Sequence, residues 1–368
     1  MGRRGTTLSR MSERRVTIDP MRPALKPGLL AVWRNRDTVQ IGVDPRRAIA
    51  LTGVRRAAAL LGLLDGSRDL AQILAAAGEF GISAEVADRI ITLLAAGGAL
   101  HDFPGSAFRA MPHGLRTRLA PELATAALAH GDGDGGARIL ARRQDACVRV
   151  EGLNRIGLCV ASMLAASGIG MVMSTGRPPG SGPGPAPPPL MGPSPPSGSP
   201  QPTGSPQPTG SPQPTGNSVP VGTSYRPDLV ILADTYRREL PEALKRDTVP
   251  HLATAASEAI GVVGPLVLPG NTACLRCLDL TRAERDPAWP LILAQLTCGG
   301  AEPPACDTVL AAAVAAQAAA QTLAFFDRPA SASAVTNGTL ELVLPDWQWR
   351  RRTWEPHDRC GCGRRGDL

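Results

Sequence analysis

The sequence predicts a two-part α/β protein. A small winged-helix-like domain precedes a larger Rossmann-type α/β domain that is stapled by a structural zinc and interrupted by a disordered proline-rich tract. Three observations predict this. Short alternating stretches followed by three amphipathic segments fill residues 28–96. A strand, glycine turn and helix follow at residues 147–166. Two close cysteine pairs, Cys274/Cys277 and Cys360/Cys362, stand near the carboxyl terminus.

At 368 residues the chain holds two or three domains with ample core. It has 37 Arg and 2 Lys and is rich in Ala, Gly and Pro, a GC-rich coding bias rather than a nucleic-acid signature. The net charge of +7 is uneven: residues 1–60 carry 13 Arg/Lys against 4 Asp/Glu, and the remainder is slightly acidic. Residues 1–26 therefore read as a basic flexible tail. No apolar core marks a signal peptide in residues 1–15. The longest apolar run, residues 309–326, is mostly alanine with Gln317 and Gln321 and reads as a buried amphipathic helix too weakly apolar to span a bilayer. Eight cysteines, four of them metal-spaced, fit a reducing cytoplasm better than a disulfide framework.

In order along the chain, residues 29–33, 38–43 and 48–51 alternate as short strands. Helices are expected over 55–64, 69–77 and 84–96, stopped by Asp65-Gly66, Gly78 and Gly97-Gly98, each with an apolar face. Residues 105–146 read as a bridge with one helix, 121–130, and a flexible glycine loop at 131–136. The strand at 147–151 runs into Gly152-Leu153-Asn154-Arg155-Ile156-Gly157, the position and shape of a dinucleotide-binding turn. Asn154 stands where that turn wants its middle glycine, and a side chain there crowds a pyrophosphate.

No Asp or Glu occurs between residues 171 and 224, so nothing there can grip a ribose. That stretch contains three tandem SPQPTG units, and residues 173–224 are expected to be solvated, extended and coreless. The order resumes over residues 225–363. A buried strand at 227–234 ends in Asp234, followed by a helix at 241–246 and strands at 250–254 and 261–268. Then come the first cysteine pair, a long helix at 307–326, strands at 339–344 and 347–353, and the second pair. Cys274, Cys277, Cys360 and Cys362 give four thiolates for one tetrahedral Zn²⁺ with no open position, a structural site. His357 is an alternative ligand. Cys298 and Cys306, between the pairs, are weighed as thioester nucleophiles, but Glu302 and Asp307 beside them would raise their pKa. His251 reads as packed rather than catalytic.

Residues 27–104 resemble the PqqD-like peptide-clasp domain, also called the RiPP recognition element. The motifs are Val39-Gln40-Ile41-Gly42, residues 48–53, Leu64-Asp65-Gly66 and residues 93–100. The resemblance implies that a leader peptide adds as a strand along Arg46, Arg47, Ala48, Ile49, Ala50 and Leu51, against the third helix. The rival reading is a winged-helix DNA-binding regulator. Arg89 is the only cation on that helix, which disfavours nucleic acid.

From Cys147 to Cys362 the chain resembles the ThiF/ubiquitin-activating-enzyme superfamily, and with the clasp it is similar to the ThiF-like partners of azoline-forming (TOMM) cyclodehydratases. The resemblance implies a precursor leader peptide and a modifying enzyme such as a cyclodehydratase as partners, a homodimer, and no membrane. It places the degenerate nucleotide contacts at Gly152, Asn154, Arg155 and Gly157 and a Mg²⁺-holding, catalytic aspartate at Asp234. The family's ribose acid and phosphate cations have no counterpart, so weak or absent Mg-ATP binding is expected. The reading is a leader-binding adaptor; the alternative is an ATP-dependent adenylyltransferase acting on a carboxyl-terminal carboxylate.

Overall fold

The computed structural model describes residues 21–52, 57–103, 110–131, 133–175, 226–233, 238–297, 305–328 and 333–362. The chain divides into two compact units, residues 1–142 and 143–368.

In the first unit, β2 (Ala31–Asn35), β3 (Thr38–Ile41) and β4 (Ile49–Thr52) form an antiparallel sheet in that order. Helices α1 (Ala57–Leu63), α2 (Leu70–Glu79) and α3 (Ala84–Ala96) follow. Their starts are set locally. Asp69 and Gln72 exchange side-chain-to-backbone bonds of 2.8 and 3.0 Å, a capping box, and the Ser83 hydroxyl accepts from Val86 N–H. The apolar faces of these helices close on β3 and β4, with Ile41, Leu60, Ile73, Ala87 and Leu94 fully buried. Two strands escape the sequence pattern: β1 (Pro23–Leu25) pairs antiparallel with β5 (Leu100–Asp102). Three residues are too few to show a period, so only the pairing reveals them.

Residues 113–145 are more ordered than a bridge. They form α4 (His113–Arg118), α5 (Ala120–His130) and α6 (Ala137–Asp145), and Leu119, Leu123 and Leu140 bury together with Met111. The division between the units falls within α6 rather than at either end of the expected linker.

The second unit is built on a seven-stranded mixed sheet. Its strands are β6 (Cys147–Glu151), β7 (Met171–Thr175), β8 (Leu229–Leu232), β9 (His251–Ser257), β10 (Ile260–Val267), β11 (Gly338–Val343) and β12 (Gln348–Thr353). The spatial order is β12-β11-β10-β9-β8-β6-β7. The four strands from β7 to β9 run parallel, and those from β9 to β12 antiparallel. A second parallel strand directly after the first helix corrects the expectation that a coreless tract begins at residue 173. Val172 and its neighbours pair in register with β6, because Met171–Thr175 has enough apolar, sheet-compatible character to continue the ladder. Residues 176–225 lie outside the described residues, as does nearly all of the expected tract.

α7 (Arg155–Ala166) and α11 (Thr308–Asp327) lie side by side on one face of this sheet, burying Val160 and Leu164 from one and Leu310, Val314 and Ala318 from the other. α8 (Glu239–Arg246), α9 (Leu275–Arg285) and α10 (Trp289–Thr297) complete the unit. By length and composition alone α11 is apolar enough to cross a membrane, more so than the composition argument allowed, but its buried side is core, as expected of a buried helix.

A buried ion pair ties the start of this unit to the end of α11. Arg143 donates to Asp327 through Nε (2.8 Å) and Nη2 (2.6 Å), with side-chain exposures of 7% and 5%. Asp327→Ala is expected to lower stability by about 3–5 kcal/mol, because it strands a buried guanidinium. Replacing both partners with Met and Leu is expected to recover most of that loss. Urea denaturation of both variants checks it; a single-variant loss under about 1 kcal/mol would contradict the buried-pair account.

Candidate functional site

Three candidate regions were read from the sequence. The four cysteines are brought together: their Sγ atoms all lie within 4.8 Å of one another. Cys274 is the N-cap residue of α9 and Cys277 lies in its first turn. Cys360 and Cys362 flank Gly361, whose φ of +74° is left-handed backbone that suits glycine. The Sγ–Sγ separations are 3.8 Å for Cys274–Cys277, 3.5 Å for Cys274–Cys360 and 3.2 Å for Cys277–Cys362. A tetrahedral ZnS₄ centre with 2.3 Å bonds has edges of about 3.8 Å. All four thiols are free, three of them buried and Cys362 partly so.

The surroundings fit a cation. The neighbouring Cys277 thiol and burial push the Cys274 thiol well above its ordinary range, and burial pushes Cys362 up to about 11. Without a cation these groups keep their protons; a Zn²⁺ would let them act as thiolates. The backbone N–H of His357 donates to Cys277 Sγ at 3.4 Å, an outer contact that favours a charged sulfur. The imidazole itself is not a ligand. Its Nδ1 accepts from Arg359 N–H (3.1 Å), and its Nε2 faces Glu284 Oε1 (3.0 Å). Val230, Leu275, Leu278 and Trp354 wrap the cluster.

The second region is the turn after β6. Gly152 has φ +114°, and a Cβ on it would press Ala233 at 3.2 Å. A Cβ on Gly157 would come within 1.9 Å of Gly152 O, so only glycine permits this approach of helix to turn. Asn154 caps α7. Its Oδ1 accepts from Gly157 N–H (2.9 Å) and its Nδ2 donates to Ala233 O at the end of β8 (2.6 Å). The side chain therefore takes a helix-terminal donor that a phosphate would otherwise use. Asparagine before a helix is a strong capping signal, and that signal was available in the sequence. Arg155 is exposed. Asp234 lies outside the described residues, as does Cys298. For the Cys306 thiol, burial and then Asp307 push its pKa up, with Arg155 opposing, the wrong direction for a nucleophile. His251 is fully buried, with Nδ1 on Val249 O (3.0 Å), as a packed histidine should be.

The third region is β4, a terminal strand of its sheet. Gly42 N–H donates to Leu30 O (2.8 Å), which sets the pleat of β3. Even-numbered β3 residues face β2, so Val39 and Ile41 exchange bonds with Leu51 and Ile49. The backbone groups of Ala50 and Thr52 consequently face the open side. Ile49 packs beside Gly97 just after α3, where a Cβ would meet it at 2.3 Å, and α3 leaves Val86 and Leu93 exposed. The expected cations are already engaged: Arg46 forms a bidentate pair with Asp44 (2.8 and 2.9 Å), and Arg47 donates to Leu128 O (2.5 Å).

No protein-family model matches the sequence, and no curated protein matches it. Solved structures do share the fold. The heterocyclase TruD superposes with a TM-score of 0.57 at 14% identity, covering 94% of this chain and 43% of that one. The E. coli microcin C7 biosynthetic enzyme MccB in complex with N-formylated MccA gives 0.57 at 12% identity, covering 93% of this chain and 99% of that one. A heterocyclase in complex with substrate and cofactor gives 0.56 at 16%, covering 94% of this chain and 40% of that one. The chain thus spans less than half the length of the two heterocyclases and nearly all of MccB.

Two outcomes are expected here. Purified protein carries one zinc per chain, and Cys→Ser at any of the four positions loses it and destabilises the second unit; metal analysis well below one equivalent with all thiols reactive would contradict this. Asn154→Ala lowers stability by about 1–2 kcal/mol in thermal or urea unfolding, and an unchanged midpoint would show that the cap contributes nothing.

Proposed function

We propose that this chain is a precursor-peptide-binding adaptor of a peptide-modification pathway. The first unit acts as a PqqD-like clasp, and the second is a zinc-stapled, ThiF-like domain that has lost adenylation. The open edge of β4 carries this reading. Ala50 and Thr52 offer outward backbone donors and acceptors on a strand whose Ile49 packs at Gly97, just after α3, and α3 leaves Val86 and Leu93 exposed. An extended peptide can add there as a fourth strand, with backbone bonds for affinity and apolar contacts for register. With Arg46 and Arg47 engaged by the chain itself, charge contributes little to the affinity, and an amphipathic peptide fits better than a strongly acidic one.

The likeness to a heterocyclase with its substrate and to a microcin biosynthetic enzyme supports a peptide-modification role, and a modifying enzyme such as a cyclodehydratase is the partner to which the peptide is passed. The self-capped turn supports the adaptor over an adenylyltransferase, because Asn154 and Gly157 satisfy each other where a nucleotide phosphate would sit.

The test uses the full chain and a synthetic leader from a precursor encoded beside its gene. Ala50→Pro removes an outward N–H and is expected to reduce binding by at least tenfold with the fold intact. Arg46→Ser is expected to change affinity less than threefold. Binding that survives Ala50→Pro, or specific duplex-DNA binding with no leader binding, would sink the reading.

A further inference from the structure

We infer that the free edge of β12 takes an extended acidic segment of a partner protein as an eighth strand of the sheet. Among the described residues, β12 ends the strand order and pairs only with β11. Its outward groups follow from the register. Trp354 N–H donates to Asn337 O (3.0 Å), so the bonded pairs of this ladder fall at Arg352/Thr339, Arg350/Glu341 and Gln348/Val343. The bond from Leu344 N–H to Ala259 O agrees, since it turns Leu340 and Leu342 toward β10 instead. The backbone N–H and C=O groups of Trp349, Arg351 and Thr353 therefore point outward past the edge. Every residue of the strand except Trp349 is exposed.

The chemistry of the occupant follows from charge. Arg350 and Arg352 stand two positions apart on one face of the strand, about 7 Å from each other along it. Arg350 meets Asp346 at 2.9 Å in an exposed pair that water screens, and Arg352 comes only within 3.6 Å of Glu341. The Arg352 guanidinium lies 5.4 Å from the ring centroid of Trp354, and that of Arg282 lies 5.5 Å from the same ring. Burial lowers the pKa of Arg282 from its ordinary range; Asp279 opposes this, while Arg238 and Arg352 reinforce it. Asp279 already accepts from Nε and Nη2 of Arg238, whose buried Nη1 finds no acceptor among the described residues. This face is short of negative charge. Arginines along an edge repel a second copy of the same strand and select one with acidic residues at every second position. β12 belongs to the second unit, so the surface stands whether or not β4 binds a leader.

The probe is a fluorescein-labelled peptide of four Thr-Glu repeats, blocked at both ends, titrated with the full-length protein by fluorescence anisotropy at about 0.1 M salt. Saturable binding at micromolar protein is expected, weakened at least tenfold at about 0.5 M salt. Arg351→Pro removes an outward N–H and is expected to weaken binding at least tenfold. Arg351→Ala loses the same side chain but keeps that N–H, and is expected to change affinity less than threefold. Arg350→Glu combined with Arg352→Glu is expected to abolish binding with unchanged circular dichroism. If Arg351→Pro loses the native circular dichroism, this charge-reversed variant and the salt dependence decide. No saturable binding, equal binding of Thr-Lys repeats, or binding that survives charge reversal overturns the inference. So does binding that is lost with Ala50→Pro instead, which places the peptide on β4. A single-stranded oligouridylate that binds more tightly and displaces the peptide also overturns it, and makes the face a nucleic-acid site.

Discussion

The contact on which most of the second unit depends is the close approach of α7 to the turn after β6. Gly157 lies so near Gly152 O that no Cβ fits, and Asn154 bridges from the helix terminus to the end of β8. This fixes the angle at which α7 leaves the sheet. α11 then packs along α7, and the antiparallel strands β9 and β10 meet α11 from below. The same bonds have a chemical consequence. A turn of this shape elsewhere offers its first-turn N–H groups to a phosphate, whereas here the chain supplies its own acceptor. The geometry of the fold is kept while the group that would bind is already satisfied.

The four-thiol cluster plays the corresponding part at the other side of the sheet. α9 enters through Cys274, and the segment after β12 returns through Cys360 and Cys362, so chain segments more than eighty residues apart meet at one point. Trp354 seals the cluster and donates through Nε1 to the Thr339 hydroxyl at 3.0 Å. In this account a cation at the thiols holds β11 and β12 against the rest of the unit, and the loop between the pairs can vary without loosening them.

Much of this was legible in the sequence, for reasons that can be named. Helices with an apolar stripe and a capping residue, such as α2 and α3, were placed to within two residues because both signals act locally. The cysteine spacing pointed to the four-thiol cluster without any knowledge of the fold. Three kinds of feature were not legible. β1 and β5 are too short for a period and exist through pairing with each other across the unit. The Arg143–Asp327 pair joins residues 184 apart, and neither is unusual in its local sequence. Asn154 was visible only as a misfit to a glycine pattern, although its capping role was available from the residue type. Exposure along β4 was foreseeable, but which of its backbone groups face outward required the register with β3.

The central claim is that the glycine turn after β6 is filled by the chain's own asparagine, and calorimetric titration of the full-length protein with Mg-ATP tests it most directly. The account expects no heat of binding at nucleotide concentrations up to the millimolar range, and still none after Asn154→Gly, since the sequence offers no Asp or Glu between residues 171 and 224 to hold a ribose. Micromolar binding by the wild type, lost on Asp234→Ala, would contradict it and identify the chain as an adenylating enzyme.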